Sequence, residues 1–229
     1  MTQTIEWRYE TKYVLKADEP LLFSEWLADY PDIRPHHPSR RVNSIYFDTP
    51  DFECASANLS GVSGREKYRI RWYGSEGPGT DILFQTKSRR DRLGAKISHP
   101  IAWPGGNPTD LNRDTLEKIT VEIDQIAVLP RTFGSLQPTL AVSYERAYFV
   151  TTSGVRITVD SYLGFDECDF DTPSEFLAHR ETESTIVEFK FPTNAKQEAS
   201  YLMAGLPFSA SRSSKYLLGL SLIGRAIYL

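Results

Sequence analysis

Residues 65–73 read Arg-Glu-Lys-Tyr-Arg-Ile-Arg-Trp-Tyr, with a cation at every second position. On an extended strand Arg65, Lys67, Arg69 and Arg71 share one face, while Glu66, Tyr68, Ile70 and Trp72 share the other. Such a row repels itself, yet the whole chain has a net charge of −4. It is either a solvated sheet edge or a surface built for a polyanion. The side-chain chemistry fits phosphate, which Arg binds through a two-pronged fork and Lys as a compact point charge. Phosphoryl transfer needs in-line positioning and charge neutralisation more than a protein nucleophile.

The same alternation recurs. Glu6, Arg8, Glu10 and Lys12 alternate with Trp7, Tyr9, Thr11 and Tyr13. Gln85 and Lys87 oppose Ile82 and Phe84; Arg156, Thr158 and Asp160 oppose Val155, Ile157 and Val159. Glu188 and Lys190 share a face opposite Val187, Phe189 and Phe191, and Arg146 stands between Tyr144 and Tyr148. A sheet with one wet face gives this pattern. A sheet closed on itself gives it too, with the charged faces turned into a polar tunnel where a ligand or counter-charge relieves the repulsion.

The elements that must carry these rows follow from β-rich composition and turn residues. Strands are expected at 4–15, 41–48, 64–74, 80–88, 94–103, 138–150, 154–161 and 184–191. The Ser-Glu-Gly-Pro-Gly run at 75–79 makes a hairpin of the third and fourth. Helices are expected at 20–30, with Asp18 as cap, Pro20 in the first turn and Leu22 and Trp26 on one face, and at 112–127, with Leu116, Ile119, Ile123 and Ile126 at helical spacing. Two more are expected at 195–204 and 213–223. Strands and helices do not alternate as βαβ units, so the fold class is α+β, mainly antiparallel, with helices packed on the outside of the sheet. His36 and His37, flanked by prolines, read as a loop. The acidic run at 166–171 reads as a solvated loop, lacking calcium-loop spacing and its glycine.

The 229 residues suffice for one domain, 1–229, with a substantial core. No apolar run reaches a membrane span and no signal peptide is evident. Cys54 and Cys168 lack metal-ligand spacing, so a reduced, cytoplasmic setting is expected. An acidic pI near 5.6 argues against a general nucleic-acid binder.

Eight segments, in order along nearly the whole chain, resemble the VTC domain, the polyphosphate polymerase domain of the triphosphate tunnel metalloenzyme superfamily, related to CYTH-type triphosphatases. They are Arg-Tyr-Glu-Thr-Lys-Tyr (8–13), Ser-Ile-Tyr-Phe-Asp-Thr (44–49), Arg-Glu-Lys-Tyr-Arg-Ile-Arg-Trp-Tyr-Gly (65–74) and Leu-Phe-Gln-Thr-Lys (83–87). Val-Ser-Tyr-Glu-Arg-Ala-Tyr-Phe (142–149), Val-Arg-Ile-Thr-Val-Asp (155–160), Val-Glu-Phe-Lys (187–190) and Ser-Ser-Lys-Tyr (213–216) complete the set. The resemblance implies a closed, tunnel-like antiparallel barrel of about eight strands. It implies a polymerase that moves the γ-phosphate of a nucleoside triphosphate, ATP first among them, to a polyphosphate chain.

Carried over by position, Lys12, Arg69, Arg71, Lys87, Arg146, Lys190 and Lys215 are the implied phosphate ligands, and Glu188 the carboxylate for Mn²⁺ or Mg²⁺. Among these, Arg69, Arg71 and Arg146 hold the triphosphate, and Lys12, Lys87 and Lys190 line the product path or orient the acceptor. Arg212 falls where the family can place another base. Arg65 and Lys67 lie nearer a mouth or in supporting roles, and Ser214 adds a hydroxyl at the start of the last helix. The triphosphatase branch opens with Glu-x-Glu-x-Lys; here Arg8 replaces the first acid ahead of Glu10 and Lys12. Hydrolysis, or polyphosphate binding without catalysis, are the competing outcomes. Implied partners are therefore phosphate-rich anions, with no nucleic acid expected. The family polymerases also carry an SPX domain and membrane helices, and this sequence shows neither.

Overall fold

In the computed structural model, residues 7–16, 18–74, 81–91, 93–106, 108, 111–126, 135–171 and 180–225 are described. The alternating segments form β1 (Arg8–Leu15), β2 (Arg34–Asp48), β3 (Arg65–Tyr73), β4 (Ile82–Arg90) and β5 (Leu93–Ile101). Further along come β6 (Gln137–Val150), β7 (Arg156–Glu167), β8 (Arg180–Thr182) and β9 (Thr185–Phe191). The helices are α1 (Glu19–Ala28), α2 (Glu53–Leu59), α3 (Arg113–Ile126), α4 (Lys196–Ala204) and α5 (Lys215–Leu222).

The strand order β6-β2-β3-β4-β5-β1-β9-β7 closes through a β6–β7 pairing. All these pairings are antiparallel, giving an eight-stranded barrel with the short β8 added beside β7. Closure removes free edges and gives the barrel an inside. Register decides what lies there. Cross-strand partners share a face, so Ser44↔Arg71, Tyr46↔Arg69, Arg69↔Gln85 and Lys67↔Lys87 place one polar row across β2, β3 and β4. Lys12↔Glu188, Thr158↔Glu188 and Arg146↔Asp160 continue it around β1, β9, β7 and β6. The charged faces point inwards.

The outer face carries two cores. Ile45, Phe47, Ile70, Trp72 and Phe84 pack under Leu116, Ile119 and Ile123 of α3. Tyr13, Leu15, Ile157, Val187 and Phe189 pack under α1 and α4. In α1 the buried residues are Phe23 and Trp26, whereas Leu22 is 42% exposed, so the expected Leu22–Trp26 face is rotated by one position. Asp18 occupies the N-cap position without a side-chain hydrogen bond.

The fourth expected outer helix departs from that arrangement. Leu140, Val142 and Tyr144 lie on the same face as Arg146, and α5 packs Tyr216, Leu217 and Leu220 against them and Phe165. It therefore plugs one end of the barrel from the lumen side. Gly219 permits this approach, since a Cβ there would stand 2.5 Å from Leu140 Cδ2 and 2.6 Å from Phe165 Cδ1. Periodicity identified the helix but not which sheet face would take it, because the barrel interior is apolar only at this end. Asp48 ties the plug down, accepting from the Tyr216 hydroxyl (2.7 Å) and from the Cys54 and Ala55 amides at the start of α2.

Three other expectations change. His36 and His37 lie in β2, which extends back to Arg34 instead of starting at 41. Asp166 and Glu167 belong to β7, and Glu167 and Asp169 hold Arg225, so part of the acidic run is structural rather than a free loop. Helix α2 and strand β8, both short, had no periodic signature. The expected turn at 75–79 lies outside the described residues. Both cysteines are free thiols.

Candidate active site

The sheet register sets the cations in tiers. Arg71, 4% exposed, donates from Nε to Ser44 Oγ (3.2 Å) and from Nη2 to Tyr144 OH (2.7 Å). Arg69 donates twice to Gln85 Oε1, at 3.1 and 2.9 Å, and from Nη1 to Tyr46 OH at 3.2 Å. Neutral oxygens thus fix both guanidiniums without cancelling their charge. The surplus is felt next door: burial pushes the Tyr46 phenol up, but Arg69 and Arg71 outweigh it and bring it down to about 8.

Arg146 is different. It grips Asp160 with both prongs, at 2.5 and 2.7 Å, and Lys215 Nζ adds a third contact to Asp160 at 2.6 Å. Burial opposes ionisation of Asp160, yet these two cations hold it far below the usual carboxylate range. Arg146 and Lys215 therefore share a fully buried counter-ion.

Two further carboxylates face the lumen. Glu10 Oε2 is engaged by Lys87 Nζ at 2.7 Å. Glu188 Oε2 is engaged by Lys190 at 2.6 Å, while its Oε1 is buried with no hydrogen-bond partner among the described residues and lies 3.6 Å from Lys12. Burial disfavours the Glu188 charge, but Lys190, Lys12 and Lys87 keep it ionised, well below the usual range. A buried, ionised oxygen without a hydrogen bond is what one ligand of a hard divalent cation needs, the other positions falling to phosphate oxygens and water. Among the described residues no cluster of three or more His, Cys, Asp or Glu could hold a metal alone. The residues fit a metal that takes most of its ligands from outside the protein.

A cavity of about 280 Å³ is enclosed by these tiers, and twelve Lys and Arg side chains line it against Glu10 and Glu188. A second, of about 760 Å³, forms a vestibule bounded by Arg65, Arg89, Lys196 and Arg212. Glu10, Lys12, Lys67, Lys87 and Ser214 line both, marking their junction. Lys67 sits there with its Nζ donating to Ser214 Oγ (2.8 Å), the same oxygen that caps α5 at Leu217 N. Burial, followed by Lys12 and Lys87, drives the Lys67 ammonium well below its ordinary value. Burial and the Arg69 and Arg71 charges bring Lys96 down to about 8; Lys190 reaches about 8 through burial, against the pull of Glu188.

Of the sequence-derived residues, Glu10, Lys12, Lys67, Arg69, Arg71, Lys87, Arg146, Glu188, Lys190, Ser214 and Lys215 all line the inner cavity. Arg212 and Arg65 line only the vestibule, and Arg65 is turned to the Val62 carbonyl at 2.7 Å. Arg65 thus stays in the vestibule, whereas Lys67 stands at the junction of the two chambers. The sequence reading assigned no role to Asp160, Tyr46, Tyr144, Ser44, Gln85 or Lys96. Asp160 had a signal, standing in a charged row across from Arg146; the hydroxyls and Gln85 become partners only through register.

A closed antiparallel barrel with a cation-lined bore and inward carboxylates defines the triphosphate tunnel class of fold. Within it, this chain belongs to the VTC domain family, which matches residues 7–223. Solved structures give the same architecture. HpAC1 from Hippeastrum, a candidate adenylyl cyclase described as revealing a dominant triphosphatase activity, superposes with a TM-score of 0.52 at 17% identity over 93% of this chain and 95% of its own. A candidate adenylate cyclase from Bacillus halodurans gives 0.56 at 13% identity, covering 92% and 95%. The PH1819 protein of Pyrococcus horikoshii gives 0.51 at 16%, covering 94% and 99%. At these identities the likeness is one of fold. No curated protein matches the sequence. Among the described residues no helix is long and apolar enough to cross a membrane.

Proposed function

We propose that this chain is a polyphosphate polymerase. A terminal phosphate oxygen of the growing chain attacks the γ-phosphorus of a nucleoside triphosphate in line. The bond to the bridging oxygen breaks, and nucleoside diphosphate leaves. The observation that carries this reading is the pair of joined basic chambers, which offers a linear polyanion a path away from the reacting end. Hydrolysis requires only the inner one.

In this reading Arg69 and Arg71 clamp the transferred group, their charge uncancelled in the free protein. Lys12, Lys87 and Lys190 hold the acceptor end, and Lys67 and Ser214 stand at the passage into the vestibule. Glu188 would hold Mn²⁺ or Mg²⁺. The bound ion would neutralise charge on the transferring oxygens.

Triphosphate hydrolysis is the second reading, favoured by the activity described for the Hippeastrum protein. Purified chain incubated with ATP and Mn²⁺ decides between them. Accumulation of a polymer degraded by exopolyphosphatase is expected; free phosphate without polymer would establish the hydrolase, and ligand binding with no turnover a binding module. Glu188→Gln is expected to lose the metal response of turnover while retaining polyphosphate binding, and an unchanged metal response would remove Glu188 from the metal site.

A further inference from the structure

The mouth of the inner cavity away from the vestibule is lined by groups the phosphate chemistry does not use. Arg40 is clasped between two tyrosines, its guanidinium carbon 3.8 Å from the Tyr73 ring centroid and 5.3 Å from that of Tyr148. Arg40 Nε donates to Tyr148 OH at 3.2 Å. His37 meets Tyr148 edge to face at 5.5 Å, and the His36 and His37 rings lie 4.1 Å apart. All five side chains line the same cavity as Arg69 and Arg71.

The backbone explains how they converge. Two of the three shifts in the β2–β6 register fall here, between Pro35 and His37 and between His37 and Arg40. Each bulge inserts a residue and re-aims the side chains beside it, a device that recurs next to active sites. His37 and Arg40 are three residues apart, which on a regular strand puts them on opposite faces, yet both face the mouth. The rim is also at a useful distance. Arg40 precedes Ser44, the partner of Arg71, by four strand residues, or roughly 13 Å. A ribose and its phosphates span such a gap.

We propose that this rim is a stacking site for a nucleobase, so that the chain discriminates a nucleoside triphosphate from inorganic triphosphate. Flat rings and a guanidinium plane hold a base through its π-face, with little dependence on its edge pattern. The proposal rests on the phosphate-clamp reading of Arg69 and Arg71, and the test separates the two.

Calorimetry on the full chain would compare ATP with inorganic triphosphate, each with Mg²⁺. The His37→Ala/Tyr148→Leu double variant leaves every lumen cation in place. It is expected to bind ATP about tenfold more weakly, equivalent to ~1.4 kcal/mol, and inorganic triphosphate within twofold of the parent, which also verifies its fold. Tyr148→Phe keeps the ring and is expected to stay within twofold for both ligands. Equal weakening of both ligands, or of neither, would overturn the base site. A parent protein that binds inorganic triphosphate no less tightly than ATP would overturn it too, leaving the clamp intact. A parent that binds neither would remove the clamp, and the base site with it.

Discussion

Replacing Arg71 with methionine separates lumen cations that await a ligand from those that serve the fold. Burying a lone cation costs several kcal/mol, and among the described residues Arg71 is set off by its bonds to the Ser44 and Tyr144 hydroxyls, worth about 1 kcal/mol each, and by the Tyr144 ring, whose centroid lies 5.9 Å from its guanidinium carbon. Arg69 and Arg146 press on it with like charge. Losing the charge and both hydrogen bonds should leave the free protein as stable as the parent, or more stable by up to ~2 kcal/mol. Arg146→Met strands the buried Asp160 with Lys215 alone and should cost about 3–5 kcal/mol. The order reverses for ligand binding. Arg71→Met should weaken inorganic triphosphate by ~2 kcal/mol or more, a loss of at least about 30-fold. Urea melts of the free proteins and titration calorimetry with triphosphate measure both quantities. The reasoning fails if Arg71→Met loses as much stability as Arg146→Met, or if it binds triphosphate within threefold of the parent.

Four further outcomes follow from the same geometry. Asp160→Asn should destabilise the free protein by about 3–5 kcal/mol, and in thermal melts triphosphate should restore more stability to it than to the parent. Lys190 and Lys96 lose protons in the free protein as pH passes about 8, so triphosphate affinity should fall between pH 7 and 9.5, with proton uptake on binding near pH 8 seen as buffer-dependent heats. Because unfolded lysine titrates near 10.4, these two lysines bind more protons in the unfolded chain between about 8 and 10.4, so their contribution to ligand-free stability should rise with pH across that window, read as the difference between pH-dependent urea melts of the parent and of a Lys190→Met/Lys96→Met variant. Gly219→Ala should cost about 1–3 kcal/mol by forcing Leu140 and Phe165 apart; a melting temperature equal to the parent's would show that the plug is loosely seated.

The strands and the polar face of each were legible because their period is two and their charges are dense. Lys12, Arg69, Arg71, Glu188 and Lys190 could be placed on facing rows before any pairing was known. What alternation cannot carry is which rows meet. The use of Asp160 to neutralise Arg146 and Lys215 depends on register and on the plug helix, and so does the absence of any such partner for Arg71 among the described residues. Helix α5 was legible as a helix but not as a plug, since its apolar face fits either side of a sheet. The rim was hidden for a sharper reason: prolines at 35 and 38 suggest a loop, whereas the pairing with β6 tolerates them by bulging.

The Lys12–Glu188 pairing also bears on how the molecule comes to be. Its partners stand 176 residues apart in sequence, on β1 and β9. On the far side of β1, the pairing to β5 among the described residues is Arg8↔Gly94 and Tyr9↔Leu93. Contacts of such long range pay their loop entropy before they return any stability, and they slow folding. Glu188 and the lysine beside it are therefore expected to meet late in folding. Until then Lys12 stays away from Lys67 and Lys87, which the β3–β4 hairpin already sets side by side, so the crowding of all three positive charges waits for the step that creates the bore.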